Sequence, residues 1–182
     1  MRKLIVCIIS FWVTFCGAQS KGDNIYLTEN GRIIFKGELA DTSINLTAQN
    51  LYALLNYDDA QFELKLDLSA LYSGNSKVDS ILQAKENEIV SLKGKLDIDF
   101  INIEGHPPLD FVVDGLLSSS GALINGKGHL EHLFDQGTYS CILTLSFILD
   151  KSDLGFDFTG IDLDDKVNIE VIQIVMNKLE DF

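Results

Sequence analysis

Apolar and polar residues alternate along most of the chain. In residues 61–68 every second residue is Phe or Leu, and the residues between them are polar or charged. Residues 92–100 repeat this pattern from Leu92 to Phe100, and weaker versions occur in residues 32–39, 44–50, 51–55, 109–117, 122–134, 139–150 and 166–176. A half-buried β-strand requires this period of two. The pattern therefore predicts an all-β protein of about nine strands.

The links between these segments predict antiparallel pairing. Residues 56–59, 118–121 and 135–137 are short, polar or glycine-containing connections of hairpin length. Parallel strands would need crossovers of a dozen residues or more. Gly126 and Gly128 lie inside one predicted strand, which indicates a bend or bulge that lets the sheet curl. Two architectures fit, a closed barrel and a two-sheet sandwich.

Residues 71–91 break the alternation. Val78, Ile81 and Leu82 follow helical spacing there, Ser76 is a candidate N-cap, and Asp79 lies in the first turn, where an acidic side chain is favourable. We expect one short helical insertion in the sheet.

The first 18 residues have the features of a secretory signal peptide. A basic start is followed by an apolar run too short to span a bilayer, and Ala18 offers a cleavage site. Acylation of Cys16 is the alternative, but Phe15 is a poor residue for the preceding position. No later segment reaches the roughly 20 apolar residues of a transmembrane helix. Residues 19–182 are therefore expected to form one exported domain, periplasmic or secreted.

The charge of the chain argues against one class of partner, and its cysteine content indicates what must stabilise the fold. The chain has 182 residues and a formal charge of −13. Cleavage after Ala18 leaves 12 basic residues against 27 acidic ones, a charge of −15. Phosphate backbones repel so acidic a protein, which argues against a nucleic-acid partner. Cys141 is then the single cysteine, so a large apolar core must replace disulfides.

No catalytic or metal-binding pattern emerges from the reactive side chains. Cys141 lies on the apolar face of its predicted strand, which indicates an inert buried thiol. His129 and His132 point to opposite faces of a strand, so zinc binding is not expected, whereas Glu131 shares the face of His129. His106 precedes two prolines and has no evident partner.

The remaining motifs indicate no catalytic, metal-binding or nucleotide-binding site either. The acidic residues 162–165 lack the spacing of a calcium loop and predict a solvated turn. No nucleophile elbow, phosphate loop or dinucleotide fingerprint is present. The sequence predicts no enzyme, no metal site and no cofactor.

Four segments, taken in order, resemble one known family. They are FELKLDLSALYSGNSKVDSIL (62–82), VSLKGKLDIDF (90–100), INGKGHLEHL (124–133) and SFILDKSDLGFDFTGIDLDDKVNIEVIQIV (146–175). This order is similar to that of the YceI-like family, over roughly residues 30–176. Two stretches depart from the family pattern. AKENEIVSL stands where the family usually has an aromatic-rich segment that contains a Tyr-Pro pair, and residues 105–108 stand where it usually has a His-Gly turn.

The resemblance implies a lipocalin-like antiparallel barrel of about eight or nine strands with a short helix. It also implies that the lumen holds a polyisoprenoid or another long-chain lipid, without catalysis. Candidate lumen residues, equally suited to plain core packing, are Phe62, Leu64, Leu66, Leu96, Ile98, Phe100, Phe111, Tyr139, Leu143, Leu145 and Phe147.

The alternative function belongs to a different class. A β-sandwich with a filled core would act as a structural or interaction module of the cell envelope. The interior volume separates the two hypotheses, because a barrel lumen can be open or filled by its own side chains. A homodimer formed through a strand face is compatible with either.

Overall fold

The computed structural model describes residues 24–39, 42–103, 105–135, 138–154 and 165–179. Within these ranges it does not describe the side chains of Leu39, Phe134, Asp135, Thr138 and Tyr139. The predicted signal peptide, with Cys16, lies outside the described residues, as does most of the acidic segment 162–165.

Eight antiparallel strands close into one barrel, in which each strand pairs with the next and the last pairs with the first. The all-β prediction is thus confirmed, and a closed barrel replaces the sandwich alternative. The strands are β1 (Ile25–Leu39), β2 (Thr42–Asn56), β3 (Gln61–Asp67), β4 (Ile89–Leu96), β5 (Leu109–Leu117), β6 (Leu123–Asp135), β7 (Thr138–Asp150) and β8 (Lys166–Lys178). Residues 44–50 and 51–55, predicted as separate strands, are both part of β2.

The order of the strands gives the barrel two distinct ends. At one end, which we call the helix end, the described residues that connect strands are 68–88, 118–122, 151–154 and 165. Residues 57–60 and 97–108 connect strands at the other, and β1 begins and β8 ends there, so we call it the terminal end.

One α-helix, α1 (Ser76–Gln83), interrupts the sheet as predicted. Its N-cap is Asn75 and not Ser76, because the Asn75 side chain accepts hydrogen bonds from the backbone N–H groups of Lys77 and Val78. The carboxylate of Asp79 accepts two hydrogen bonds from Ser73, both 2.7 Å long. Asn75 and Asp79 thereby stabilise the start of the helix.

The prediction that residues 97–100 extend β4 is wrong. The strand ends at Leu96, because Asp97 exchanges hydrogen bonds with the backbone of Val112 and turns the chain. Phe100 is 65% exposed and does not face the lumen, and Ile98 is only partly buried. The buried Ile101 follows and packs into the terminal end of the barrel.

Gly126 and Gly128 do not form a bulge, since β6 pairs with both neighbours without a register shift. Both glycines face inward, in phase with the buried Ile124 and Leu130. The ring of Phe147 lies over Gly126 and the ring of Phe111 over Gly128, where a Cβ would stand. These glycines therefore make room for aromatic side chains in the lumen.

Candidate functional site

The lumen contains an apolar cavity in the half next to the helix end. All eight strands contribute to its wall, together with the 3-10 turn Lys151–Leu154 and the residue after β3. Every lining side chain is a hydrocarbon. The lining residues are Ile33, Phe35, Leu51, Leu64, Leu66, Leu68, Val90, Leu92, Leu117, Ile124, Phe147, Leu149, Leu154 and Ile169.

The cavity is small in this conformation. Its volume is about 60 Å³. An engineered apolar cavity of roughly 150 Å³ stays dry and binds benzene. Side chains thus fill most of the lumen, and a bound chain of many carbons would have to displace some of them.

Three of the predicted lumen residues, Leu64, Leu66 and Phe147, line the cavity. Five others are buried inside the barrel without lining it, namely Phe62, Leu96, Phe111, Leu143 and Leu145. Ile98 and Phe100 lie beyond the end of β4, and the side chain of Tyr139 lies outside the described residues. Most lining residues, such as Ile33 and Ile169, were missed because they belong to weakly alternating segments.

A cluster of polar aromatic side chains occupies the terminal end of the lumen. Tyr26 and Tyr57 stack with ring centroids 4.1 Å apart. The Tyr57 hydroxyl lies 3.2 Å from His132 Nε2 and forms a hydrogen bond with the Cys141 thiol. The ring of His106 packs edge-on against His132, with centroids 4.2 Å apart. The expectation that His106 has no partner is therefore wrong.

Burial favours the uncharged forms of three of these side chains, Cys141, Tyr57 and His132. It raises the pKa of Cys141 to about 12, although the bond to Tyr57 acts in the opposite direction. It also raises the pKa of Tyr57, and it lowers the pKa of His132, as does the nearby charge of His106. The prediction that the Cys141 thiol is buried is confirmed. A raised pKa is what a poorly nucleophilic thiol requires.

His129 lies on the outer face of β6, opposite to His132, as the strand parity predicts. Its Nδ1 is 2.6 Å from Asp110 Oδ1 and its Nε2 is 2.9 Å from Glu131 Oε1. The hydrogen bond with Asp110, followed by that with Glu131, raises the pKa of the imidazole. Among the described residues, no group of three or more His, Cys, Asp or Glu side chains is placed to hold a metal ion.

No protein-family model matches the sequence, and no curated protein matches it. In the part of the chain that the structure describes, no helix has the length and apolar character needed to cross a bilayer.

Proposed function

We propose that the barrel binds the hydrocarbon end of an isoprenoid or fatty-chain lipid in the apolar cavity and performs no catalysis. The composition of the cavity wall carries this proposal, because its 14 side chains offer no hydrogen-bonding group. A hydrocarbon needs none, and each methylene removed from water contributes about 0.8 kcal/mol. Water in the same space would lack polar partners.

The two ends of the barrel assign an orientation to the ligand. Among the described residues, Tyr26, Tyr57 and Ile101 are buried at the terminal end and occupy the lumen there. The hydrocarbon therefore enters from the helix end, and the polar head group remains at that end in contact with water.

We propose that the 3-10 turn Lys151–Leu154 moves aside to admit the hydrocarbon. Its Leu154 side chain is buried and lines the cavity. The hydroxyls of Ser119 and Ser120 donate hydrogen bonds of 2.5 Å to the carbonyls of Leu154 and Asp153. Continuous strand pairing holds the barrel wall, whereas these side-chain bonds link the turn to residues 118–120. Displacing Leu154 both opens the cavity and enlarges it.

A second candidate, a filled-core interaction module of the cell envelope, is favoured by the cavity volume. About 60 Å³ does not hold a long chain unless side chains move. The two candidates differ in one measurable property, the presence of a ligand inside the barrel.

Organic extraction of the purified native protein, followed by mass spectrometry, tests the proposal. We expect a long-chain lipid in the extract and saturable uptake of a fluorescent fatty acid by the stripped protein. Ile124→Phe fills the cavity and should weaken that uptake by about tenfold or more, since a tightly packed core resists added volume. Leu130→Phe is the matched control, because Leu130 is buried on the same face of β6 but does not line the cavity.

An empty extract together with the absence of saturable uptake would contradict the lipid proposal and leave the filled-core module. Equal loss of uptake in both variants would mean that general disruption of the core, and not filling of the cavity, caused the loss. Thermal unfolding of each variant establishes that it is folded.

We further propose that the barrel acts outside the cytoplasm after cleavage near Ala18. N-terminal sequencing of protein recovered from the periplasm or the medium tests this proposal. A mature chain that begins with Gln19 is the expected result, and an intact Met1 in the cytoplasm would contradict it.

A further inference from the structure

Phe147 on β7 borders the apolar cavity on the side that faces the terminal end. β7 runs from the terminal end to the helix end, and its two lining residues are Phe147 and Leu149, so Phe147 lies nearer the terminal end. The next inward residue in that direction, Leu145, is buried but does not line the cavity. On this strand the cavity therefore ends at the Phe147 side chain.

Just beyond the cavity, the inner wall has no side chains on three adjacent strands. Leu92, Leu117 and Ile124 line the cavity on β4, β5 and β6. On each of these strands the next inward position towards the terminal end is a glycine, and the three are Gly94, Gly115 and Gly126. Because backbone alone forms the wall there, the lumen is wider at this level than larger residues would leave it.

The ring of Phe147 fills part of this wider level. Gly126 and Phe147 are paired residues of β6 and β7. A Cβ at Gly126 would overlap Cδ1 and Cε1 of the ring, so the ring lies directly against the backbone of β6. The backbone of a paired strand cannot move aside as a side chain can. The ring is therefore held in place on this side of the lumen.

We propose that Phe147 determines the length of hydrocarbon that the barrel accepts, because its ring closes the cavity towards the terminal end. This inference rests on the proposed function and deepens it. A chain that enters from the helix end reaches the ring, and its further methylenes stay in water. Each methylene taken into the cavity strengthens binding by about fourfold, so the position of the ring sets the length at which affinity stops rising.

Truncation of the ring should lengthen the accepted chain. Phe147→Ala empties the space beside Gly126, which has no side chain that could refill it. A large-to-small substitution leaves a cavity where the surroundings cannot collapse into the space. The new space is continuous with the existing cavity, because Phe147 lines that cavity.

A series of saturated fatty acids of increasing length tests the proposal. Their affinities are measured by displacement of the fluorescent fatty acid from the stripped protein. For the wild-type chain, affinity should rise about fourfold per methylene up to a limiting length and then stay constant. For Phe147→Ala, the rise should continue for about four more carbons, since the removed ring leaves a cavity of that order.

Phe147→Leu is a second, milder variant. It removes less volume than Phe147→Ala and should give an intermediate limiting length. Thermal unfolding shows which variants are folded, and the leucine variant keeps the test decisive if the alanine variant does not fold.

Phe111→Ala is the matched control. The Phe111 ring is buried and lies over Gly128 as the Phe147 ring lies over Gly126, but Phe111 does not line the cavity. Its truncation should leave the limiting length unchanged. General loosening of the lumen would weaken the binding of short and long acids alike and would not move the limiting length.

Two outcomes would overturn this inference alone. One is a limiting length that is the same in the wild-type chain and in both Phe147 variants. The other is a limiting length that Phe111→Ala extends as far as Phe147→Ala does. The absence of saturable binding at every chain length would refute the proposed function, and this inference with it.

Discussion

Gly128 shows how a single missing side chain shapes the lumen. A Cβ at this position would lie 2.1 Å from Phe111 Cε2 and 2.7 Å from Leu145 Cδ2. Both distances are far below a normal carbon contact. Gly128→Ala should therefore force the Phe111 ring out of place and lower the free energy of unfolding by about 1–3 kcal/mol. Urea denaturation measures this loss.

Phe111→Leu provides the control for that substitution. If the ring contact is the cause, the double variant should be less destabilised than the sum of the two single variants, because Leu leaves room for the new methyl group. Strictly additive losses would mean that the backbone of β6, and not the ring, resists a side chain.

His129 should give a small stability contribution that depends on pH. Asp110 and Glu131 raise its pKa, so the folded state binds the proton more tightly than the unfolded state does. This contribution is complete below the unfolded pKa of about 6.5 and is lost as the pH rises through the raised folded pKa. His129→Gln should lower the melting temperature more at acidic pH than at about pH 9.

The effect of His129→Gln should stay below about 1 kcal/mol, because the side chain is 37% exposed and solvent screens the pair. Asp110→Asn, which removes the first of the two partners, should reproduce part of it. An equal loss at both pH values would show that packing and not charge is responsible.

Cys141 should act as a reporter of global unfolding. Its thiol is fully buried, and burial raises its pKa to about 12. In a chain that starts at Gln19 it is the single cysteine. We expect a thiol reagent to leave the native protein unmodified and to label it once urea passes the unfolding midpoint. Rapid labelling in buffer would contradict the burial of this site.

Among the elements, β2 shows what the sequence pattern can and cannot predict. The alternation changes phase between Ala48 and Leu51, and this change predicts two strands. The structure has one strand with a bulge, since Ile33 pairs with Ala48 and Gly31 pairs with Leu51. An extra residue in one strand reverses the inward face just as a strand break would. The pattern predicts the all-β antiparallel class, but not this continuity.

The cavity was less predictable than the fold. Parity assigns Leu64 and Phe111 to the lumen equally well, and both are buried. Only Leu64 borders the cavity. The Phe111 ring instead occupies the space beside Gly128 on the neighbouring strand, where a side chain is missing. Which inward residue meets a void depends on the size of its neighbours on other strands, and a single strand's pattern does not contain that information.

Weakening the attachment of the 3-10 turn Lys151–Leu154 should speed ligand uptake. The double variant Ser119→Ala, Ser120→Ala removes the hydroxyls that hold the carbonyls of Leu154 and Asp153. We expect the uptake rate of a fluorescent fatty acid in stopped-flow to rise about fivefold or more, as each of the two lost hydrogen bonds contributes about 0.5–1.5 kcal/mol.

Ser118→Ala is the matched control for this gate. Its hydroxyl belongs to the same connection but accepts a hydrogen bond from the backbone of Ser91 and not from the 3-10 turn. Faster uptake in this variant as well would mean that general loosening of residues 118–122 is the cause.

At the scale of the whole molecule, the two ends of the barrel differ in the side chains that line or fill the lumen. Stacked tyrosines, two histidines and a thiol pack in the lumen at the terminal end, while the cavity and the 3-10 turn lie at the helix end. The pattern predicts strands with an apolar inner face, and the family resemblance implies a barrel, but neither predicts this division. The residues of each end come from strands far apart along the chain, and closure of the barrel brings them together.

Because β1 pairs with β8, the chain could begin at another strand and still form the same barrel. Tyr26 pairs with Lys178, and the N–H of Leu179 donates to the carbonyl of Ile25 at 2.7 Å, so the two described chain ends lie side by side. A short flexible linker between residues 179 and 24, with a new opening between the exposed Glu86 and Asn87, should give the same barrel.

Circular dichroism and urea denaturation of that circular permutant test this equivalence, and loss of the β-sheet spectrum would refute it. The permutant should differ from the natural chain mainly in folding rate, because the loops that each strand pairing must close change in length. Chains that begin at different strands of the barrel would then fold to the same structure.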